Sequence, residues 1–425
     1  MRVDQDFMIR ARGLGSRLGL GVFMVLAGGL SAACADPSGA DEDEAGSEIG
    51  SEIGEDGSET DAGAEGETET GTDTGEPLPW PSVDLDALPY EQLSEYGFFV
   101  GETLRELEPA AGVFPYTVVS PLFSDFAGKA RFLHLPEGAA LHVDWEAASP
   151  GPGGEGELWE WPEGSVVIKN FYFDLDRSDP GKDENARLIE TRLLVRFPEG
   201  WEVYTYVWDE GESDAVLTKY GQLIEVAFTD TEGVAATQEY KVPSLEQCGS
   251  CHARDNELYT LGPVSPQMNY LVERDGEMVN QMQWLADQGL FDEALPALDD
   301  YPTMVDPLGE SGTLDERARS YLHANCSHCH RQDGGAGISG LRYPYWESAS
   351  VHLGICKPPA AAGAASGGRP YDIVPGDPDQ SIVVYRMESL DPMVKMPELP
   401  SRVLNPDGIA LISEWITAMD PAGCD

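Results

Sequence analysis

The sequence predicts a multidomain protein in which an N-terminal all-β, sandwich-like region precedes an all-α C-terminal region. Between residues 80 and 244, apolar and aromatic residues occur in short runs separated by turn signals, as in strands. After residue 245 the apolar residues take the spacing of amphipathic helices. The chain of 425 residues is also longer than a single domain of usual size.

Residues 1–34 resemble an export signal. Arg10, Arg12 and Arg17 precede an apolar run, 18–30, which is too short to span a bilayer comfortably. The Leu-Ser-Ala-Ala-Cys sequence at 30–34 resembles a bacterial lipobox, although Leu30 lies one place too far upstream. We therefore expect a protein of the periplasm or cell envelope, held at the membrane by a lipid on Cys34. The alternative is an ordinary cleaved signal with an incidental cysteine.

Residues 35–79 have the composition of an acidic, disordered tether. They contain sixteen Asp or Glu, no Lys or Arg, and two consecutive Ser-Glu-Ile-Gly repeats at 47–50 and 51–54. Because like charges repel, such a segment stays extended. It is interpreted either as a stalk that holds the folded body off the membrane or as a simple solvated linker.

The predicted β-rich domain covers residues 80–244. Turn signals of the form Pro-Glu-Gly at 136–138, 162–164 and 198–200 separate its apolar runs. Short strands at this spacing are typical of an antiparallel sandwich. The predicted strands are 139–145, 165–173, 187–197 and 202–208.

The predicted helical part has clear helix boundaries. Thr313 and Glu316 form a capping box that opens an apolar stripe leading to residue 326. Asn405 caps a second helix with Pro406 in its first position. These two helices are expected to pack together, and a further amphipathic helix is predicted at 277–290.

Two Cys-x-x-Cys-His motifs carry the chemistry. This pentad is the attachment signature of a c-type haem, in which the thiols bond to the porphyrin vinyl groups and the histidine ligates the iron. The sequence therefore predicts two covalently bound haems, one in a first haem region at 245–310 and one in a second domain at 311–425. The alternative is a zinc site built from the two Cys pairs. The predicted haem-binding residues are Cys248, Cys251, His252, Cys326, Cys329 and His330.

The second motif resembles that of a class I cytochrome c, because a helix precedes it, a helix closes the chain, and a Met-Pro pair lies between them. The resemblance implies all-α, cytochrome c-like haem domains, with the sulfur of Met396 as the sixth iron ligand. Met393 is the competing ligand. Met396 is favoured because Pro397 follows it and stiffens the loop.

The distal ligand of the first haem is left open by the sequence. Met268, in a loop with Gly262-Pro263 and Pro266, is the candidate metal ligand. His323, His328 or His352 can reach across instead. An open iron position is a further alternative, and it would favour catalysis or ligand sensing over pure electron transfer.

Two cysteines, Cys356 and Cys424, remain outside the motifs and the lipobox. In an oxidising compartment, an even remainder predicts a disulfide. It would tie the loop after the second motif to the end of the chain.

Several further stretches, together with both motifs, resemble a family of exported bacterial dihaem c-type cytochromes with a β-rich N-terminal part. The similarity extends over residues 89–419, and parts of it also resemble planctomycete-type cytochrome domains. The resemblance implies haem binding and redox function but not a particular reaction. The stretches are 189–194, 206–210, 355–359, 372–378 and 396–399.

The charge of the chain limits its partners. The net charge is −50, of which −36 belongs to residues 80–425. Such a field excludes a nucleic-acid partner and suits a basic redox partner protein, although solubility alone would also explain it. We expect single-electron transfer in the cell envelope, since no complete catalytic constellation accompanies the motifs. Alternatives are a haem-dependent periplasmic oxidase, peroxidase or dehydrogenase subunit whose β domain binds substrate, and a β domain that docks the cytochrome to a surface complex.

Overall fold

The computed structural model describes residues 78–425, except 152–155, 181, 255–256, 361, 400, 422 and 425. Residues 78–425 fall within one compact unit. The predicted export signal, Cys34 and nearly all of the predicted tether lie outside the described residues. Within the described part, none of the helices is long and apolar enough to cross a membrane.

A six-stranded antiparallel sheet is the largest element of the fold. Its strands follow one another in chain order, so that each is hydrogen-bonded to its sequence neighbour. Alternate residues face opposite sides, and both sides are covered by apolar side chains. The strands are β1 (Val113–Tyr116), β2 (Gly128–His134), β3 (Val166–Asp174), β4 (Ala186–Phe197), β5 (Gly200–Trp208) and β6 (Ala215–Thr218).

The predicted sandwich of two sheets is wrong. The main sheet is a single meander, and β7 (Gln222–Thr229) forms a separate hairpin with β8 (Ala235–Val242), which touches the main-sheet segment through one isolated bridge between Thr229 and Asp176. That hairpin packs Val226 and Tyr240 against Phe173 of the main sheet. The sequence pattern indicated buried strand faces correctly, but it does not reveal whether a second sheet, a hairpin or loops cover them.

Three of the four predicted strands are confirmed, and one is wrong. Predicted strands 165–173, 187–197 and 202–208 correspond to β3, β4 and β5. Segment 139–145 forms no strand, because only Leu141 and His142 make isolated bridges, to distant loops. The alternation of apolar residues therefore indicated correctly that this segment is buried, but none of the described strands lies beside it to form a sheet.

The region 245–310 is not all-α. Its predicted helix 277–290 begins as a strand and becomes helical only after Asn280, whose side chain accepts the backbone N–H groups of Met282 and Gln283. The elements are α1 (Leu245–His252), β9 (Ala253–Arg254), β10 (Glu257–Leu258), α2 (Ser265–Met268), β11 (Leu271–Arg274), β12 (Glu277–Asn280) and α3 (Gln281–Asp287).

Residues 311–425 are also not an all-α, cytochrome c-like domain. They contain α4 (Leu314–Cys326), α5 (Ile382–Met387) and α6 (Pro406–Thr417), and the rest of the described residues form turns and short 3-10 segments. The described residues are 21% helical and 25% strand. Glycine and proline recur throughout 327–381, and both residues disfavour helices. The 3-10 segments are Leu93–Tyr96, Leu104–Glu106, Asp183–Asn185, Gly337–Ser339, Gly363–Ser366 and Pro378–Gln380.

The boundaries and packing of the two predicted C-terminal helices are confirmed. Thr313 and Glu316 form the capping box of α4, and the Asn405 side chain accepts the N–H of Gly408 to begin α6. The two helices pack through one apolar core. This core includes Ala318, Tyr321, Leu322, Ile412 and Ile416.

A disulfide joins Cys356 to Cys424, as predicted for the leftover pair. Their Cα atoms lie 5.0 Å apart, and the bridge closes a sequence separation of 68 residues. The Tyr371 hydroxyl also donates to the Cys424 carbonyl. The C-terminal tail is thereby fixed to the loop after the second motif.

Replacing both Cys356 and Cys424 by alanine is expected to lower the free energy of unfolding by about 2–4 kcal/mol, because the bridge limits the freedom of the unfolded chain. Denaturant unfolding of oxidised wild type and variant measures the difference. Wild type treated with reductant is the control and should match the variant. Equal stability of the oxidised wild type and the variant would contradict this role.

Candidate haem centre

The two Cys-x-x-Cys-His motifs meet in space. The first lies on α1, which begins at the capping box of Ser244 with Gln247, and the second begins at the last residue of α4. The Cys251 and Cys329 sulfur atoms and a ring nitrogen of His328 all lie within 4.8 Å of one another. Because Cys251 and Cys329 lie 78 positions apart in the sequence, no local sequence signal predicted this contact.

Arg331 joins the two motifs directly. It follows the second motif, and its guanidinium donates to the carbonyl of Ala253, which follows the first motif, over 2.8 Å. It also donates to the Tyr259 hydroxyl over 2.6 Å. Tyr259 in turn exchanges hydrogen bonds with His252. The two motifs therefore share one hydrogen-bonded network.

Both motif histidines have one ring nitrogen fixed and the other free of hydrogen bonds within the described chain. The Nδ1–H of His252 donates to the Tyr259 carbonyl over 2.9 Å. The Nδ1–H of His330 donates to the Ser339 hydroxyl over 3.2 Å, since that hydroxyl gives its own proton to Ala336. Such bonds leave Nε2 with its lone pair, as in metal-ligating histidines.

The environment keeps these imidazoles neutral. Burial lowers the pKa of His252 to about 3 and that of His330 to about 4. Neutral imidazole is the form that binds a metal. The hydrogen bond between the thiols of Cys251 and Cys329 lowers the pKa of Cys329 and raises that of Cys251.

A cavity adjoins the first motif. It measures about 140 Å³ and opens into a cleft whose empty space, solvent included, is about 1280 Å³. Cys248, Cys251 and His252 line it on one side, and His323 and His328 line it as well. An apolar ring attached at the two thiols and ligated by His252 fits this composition. Its apolar walls include Val118, Leu122, Phe171, Leu194, Val203, Leu261 and Val264.

Two of the proposed distal ligands do not line this cavity. Met268 is completely buried in the core beneath α1 and the main sheet. His352 donates from Nδ1 to the Glu347 carboxylate over 2.9 Å. Neither side chain is among the residues that line the cavity, so neither is placed to ligate a haem bound there, although Met268 shares a core with Cys248.

The other two proposed ligands, His323 and His328, do line the cavity. His323 accepts the backbone N–H of Tyr345 at Nδ1, so its neutral ring carries the proton on Nε2. It would have to lose that bond to ligate a metal through Nε2. His328 is 7% exposed and lies beside Cys251. Of the four candidates, His328 is the best placed.

The proposed ligand of the second haem, Met396, is linked to the second motif through Arg386 and does not line the cavity at the first motif. Met396 is partly buried, and its backbone N–H donates to the carbonyl of Arg386, whose charge contributes to lowering the His330 pKa. Met396 lines a small cavity together with Tyr321. Met393 is 82% exposed, so Met396 is the better placed of the two.

The four motif cysteines do not assemble into a zinc centre among the described residues. Only Cys251 and Cys329, with His328, form a group close enough to share a metal ion. A structural zinc site needs four ligands. The geometry therefore favours two cofactor sites, one at each motif, over one zinc site shared by both motifs.

Comparisons with protein-family models, curated proteins and solved structures found no match to this chain. The resemblance to exported dihaem cytochromes therefore stays a prediction. The function is argued below from the residues and their geometry.

Proposed function

We propose that this protein is an exported dihaem c-type cytochrome that transfers single electrons in the cell envelope. The observation that carries the proposal is the meeting of two Cys-x-x-Cys-His motifs whose histidines both keep Nε2 free for a metal. A haem bound at such a motif supplies an iron that alternates between the ferric and ferrous states.

The chain contributes covalent and axial bonds at each motif. Cys248 and Cys251 would hold the first haem by thioether bonds, with His252 as the proximal ligand. The second motif would act in the same way through its own two thiols and His330. The fixed Nδ1–H of each histidine orients its ring and increases its basicity as a ligand.

The contact between Cys251 and Cys329 supports transfer between the two sites. Attachment points that lie within 4.8 Å of one another bring the two bound groups close together. Electron transfer slows steeply with distance, so a short separation favours rapid exchange. We infer that the two sites act as one relay rather than as independent centres.

The surface charge supports a basic redox partner protein. The folded residues are strongly acidic, and opposite charge on a partner would increase the encounter rate. A lipid on Cys34 would hold the relay at the membrane, where partners are confined to the same surface.

A haem-dependent periplasmic oxidoreductase is the second candidate function. One observation favours it: the cavity beside His252 is walled partly by strands of the main sheet, so the β region can present a bound molecule to the first haem. An oxidoreductase needs a coordination position on the iron that an external ligand can occupy, whereas an electron carrier does not.

Optical spectra of ferric, ferrous and CO-treated protein separate the two candidates. For the electron carrier we expect two six-coordinate irons, so that CO leaves the ferrous spectrum unchanged. The protein should be matured in a periplasm that attaches haem covalently, and a mono-haem electron carrier with a six-coordinate iron is a suitable reference for an iron that does not bind CO. Stoichiometric CO binding at one haem would instead support the oxidoreductase.

A further inference from the structure

A row of three cations crosses the main sheet beside the first motif. In the strand register, Arg131 on β2 lies directly opposite Lys169 on β3, and Lys169 lies directly opposite Arg192 on β4. All three side chains line the cavity that contains His252. Like charges placed opposite one another across strands destabilise a sheet, so this row costs folding free energy unless an anion offsets it.

The cavity is cationic in an otherwise acidic protein. The chain has 26 Lys or Arg against 76 Asp or Glu. Lys129 and Lys241 join the row of three in the cavity wall, and no carboxylate is among the described residues that line it. This local charge is the reverse of the charge of the whole chain, which indicates a site for a negatively charged group.

The row is only partly neutralised by the protein. Glu190 accepts two hydrogen bonds from Arg192, over 2.9 and 2.5 Å, and a third from the Tyr240 hydroxyl. Arg131 donates to the backbone carbonyl of Lys129 over 3.2 Å. Among the described residues, therefore, the hydrogen bonds of one carboxylate, that of Glu190, offset a row of three cations.

Lys169 is the centre of the row. The described part of the chain gives its ammonium group no hydrogen bond or ion pair. Burial, together with the charges of Arg131 and Arg192, lowers the pKa of Lys169 to about 7. An ammonium group so placed gains from a bound carboxylate, which offsets both the burial and the repulsion.

We propose that the row of Arg131, Lys169 and Arg192 binds carboxylates, namely the propionates of the haem attached through Cys248 and Cys251. This inference rests on the proposed function. Haem has an apolar ring with two carboxylates at one edge. The cavity offers matching apolar walls, one cationic wall and an imidazole with a free Nε2.

The test uses the matured full-length protein and the variants Lys169→Met and Arg131→Met. Lys182→Met is the matched control, since it removes one positive charge from an exposed pair with Asp179. Resonance Raman spectra report the propionate bending modes of the haems. A redox titration with optical detection reports their potentials, and the intact mass reports the number of haems.

We expect both cavity variants to keep two haems, to shift a propionate bending mode, and to lower the potential of one haem. Lys182→Met should change none of these. Lys169→Arg should retain the wild-type mode, because either cation can donate to a carboxylate. A mode that shifts as much in Lys169→Arg as in Lys169→Met would overturn the proposal.

Three further results would also overturn it. The first is a variant with two haems and unchanged propionate modes, which would leave the proposed function intact. The second is a result of adding citrate at constant ionic strength. If citrate shifts the wild-type potential in a saturable way, and Lys169→Met loses this shift, the row binds an anion from solution rather than the propionates. The third is wild type without haem, which would remove the proposed function as well.

Discussion

Replacing both Cys248 and Cys251 by alanine is expected to remove one haem from each chain and to leave the other in place. In the proposed dihaem protein, the thioether bonds of the first haem would depend on these two sulfurs. Cys248 packs in the core beneath the main sheet, whereas Cys326 packs in the separate core of α4 and α6. Since the second motif has its own core, it should still mature. The intact mass of the denatured protein should fall by one haem.

The variant with both Cys356 and Cys424 replaced by alanine is the control for this loss. It also removes two cysteines, but from the disulfide, and should keep two haems per chain. Retention of two haems after the loss of Cys248 and Cys251 would show that the first motif is not an attachment site.

Met396→Ala is expected to open the second iron and to lower its reduction potential. A thioether ligand raises the potential of a haem, and axial ligands set such potentials over a range of about 0.8 V. Met396 lies beside Arg386, whose charge acts on His330. The first haem should respond little. A redox titration with optical detection measures both potentials.

Met393→Ala is the matched control. It removes the same type of side chain three residues upstream of Met396, and Met393 is 82% exposed. It should leave both potentials unchanged. If Met393→Ala alone abolishes the sulfur-to-iron signature, the ligand assignment is wrong. If neither substitution changes the spectrum, the second haem has no methionine ligand.

Local signals in the sequence predicted local structure well. The Thr313 capping box and the Asn405 cap fixed where α4 and α6 begin, because each cap depends on residues within one helical turn. The strands β3 and β4 were recognisable from long apolar runs. The pairing of Cys356 with Cys424 followed from the count of cysteines, without any geometry.

The prediction of an all-α C-terminal region is wrong because it extended the pattern of two helices and two motifs to the whole of that region. Between α4 and α5 the chain is rich in glycine and proline, and it is held by loop hydrogen bonds and the disulfide rather than by helices. The predicted helix at 277–290 shows the same error on a smaller scale, since its first residues pair with β11. Tertiary pairing there overrides a helical pattern.

The main features of the candidate site depend on contacts between distant segments. The contact of Cys251 with Cys329 requires the packing of α1 against the turn after α4. The cation row requires the register of three strands, since a shift of one residue would turn Lys169 to the other face. Met268 looked available in the sequence because it lies beside Gly262-Pro263 and Pro266, which predicted a loop, yet it is completely buried. Neither burial nor register is encoded by any short motif.

The content of haem and zinc in protein matured in the periplasm tests the central claim most directly. A pyridine haemochrome assay, referred to protein concentration by amino-acid analysis, should return two haems per chain, and metal analysis should return iron without zinc. The same assay on the variant lacking Cys248 and Cys251 should return one. One haem or none in the wild type, or zinc in place of iron, would contradict the proposal that the two motifs form a dihaem relay.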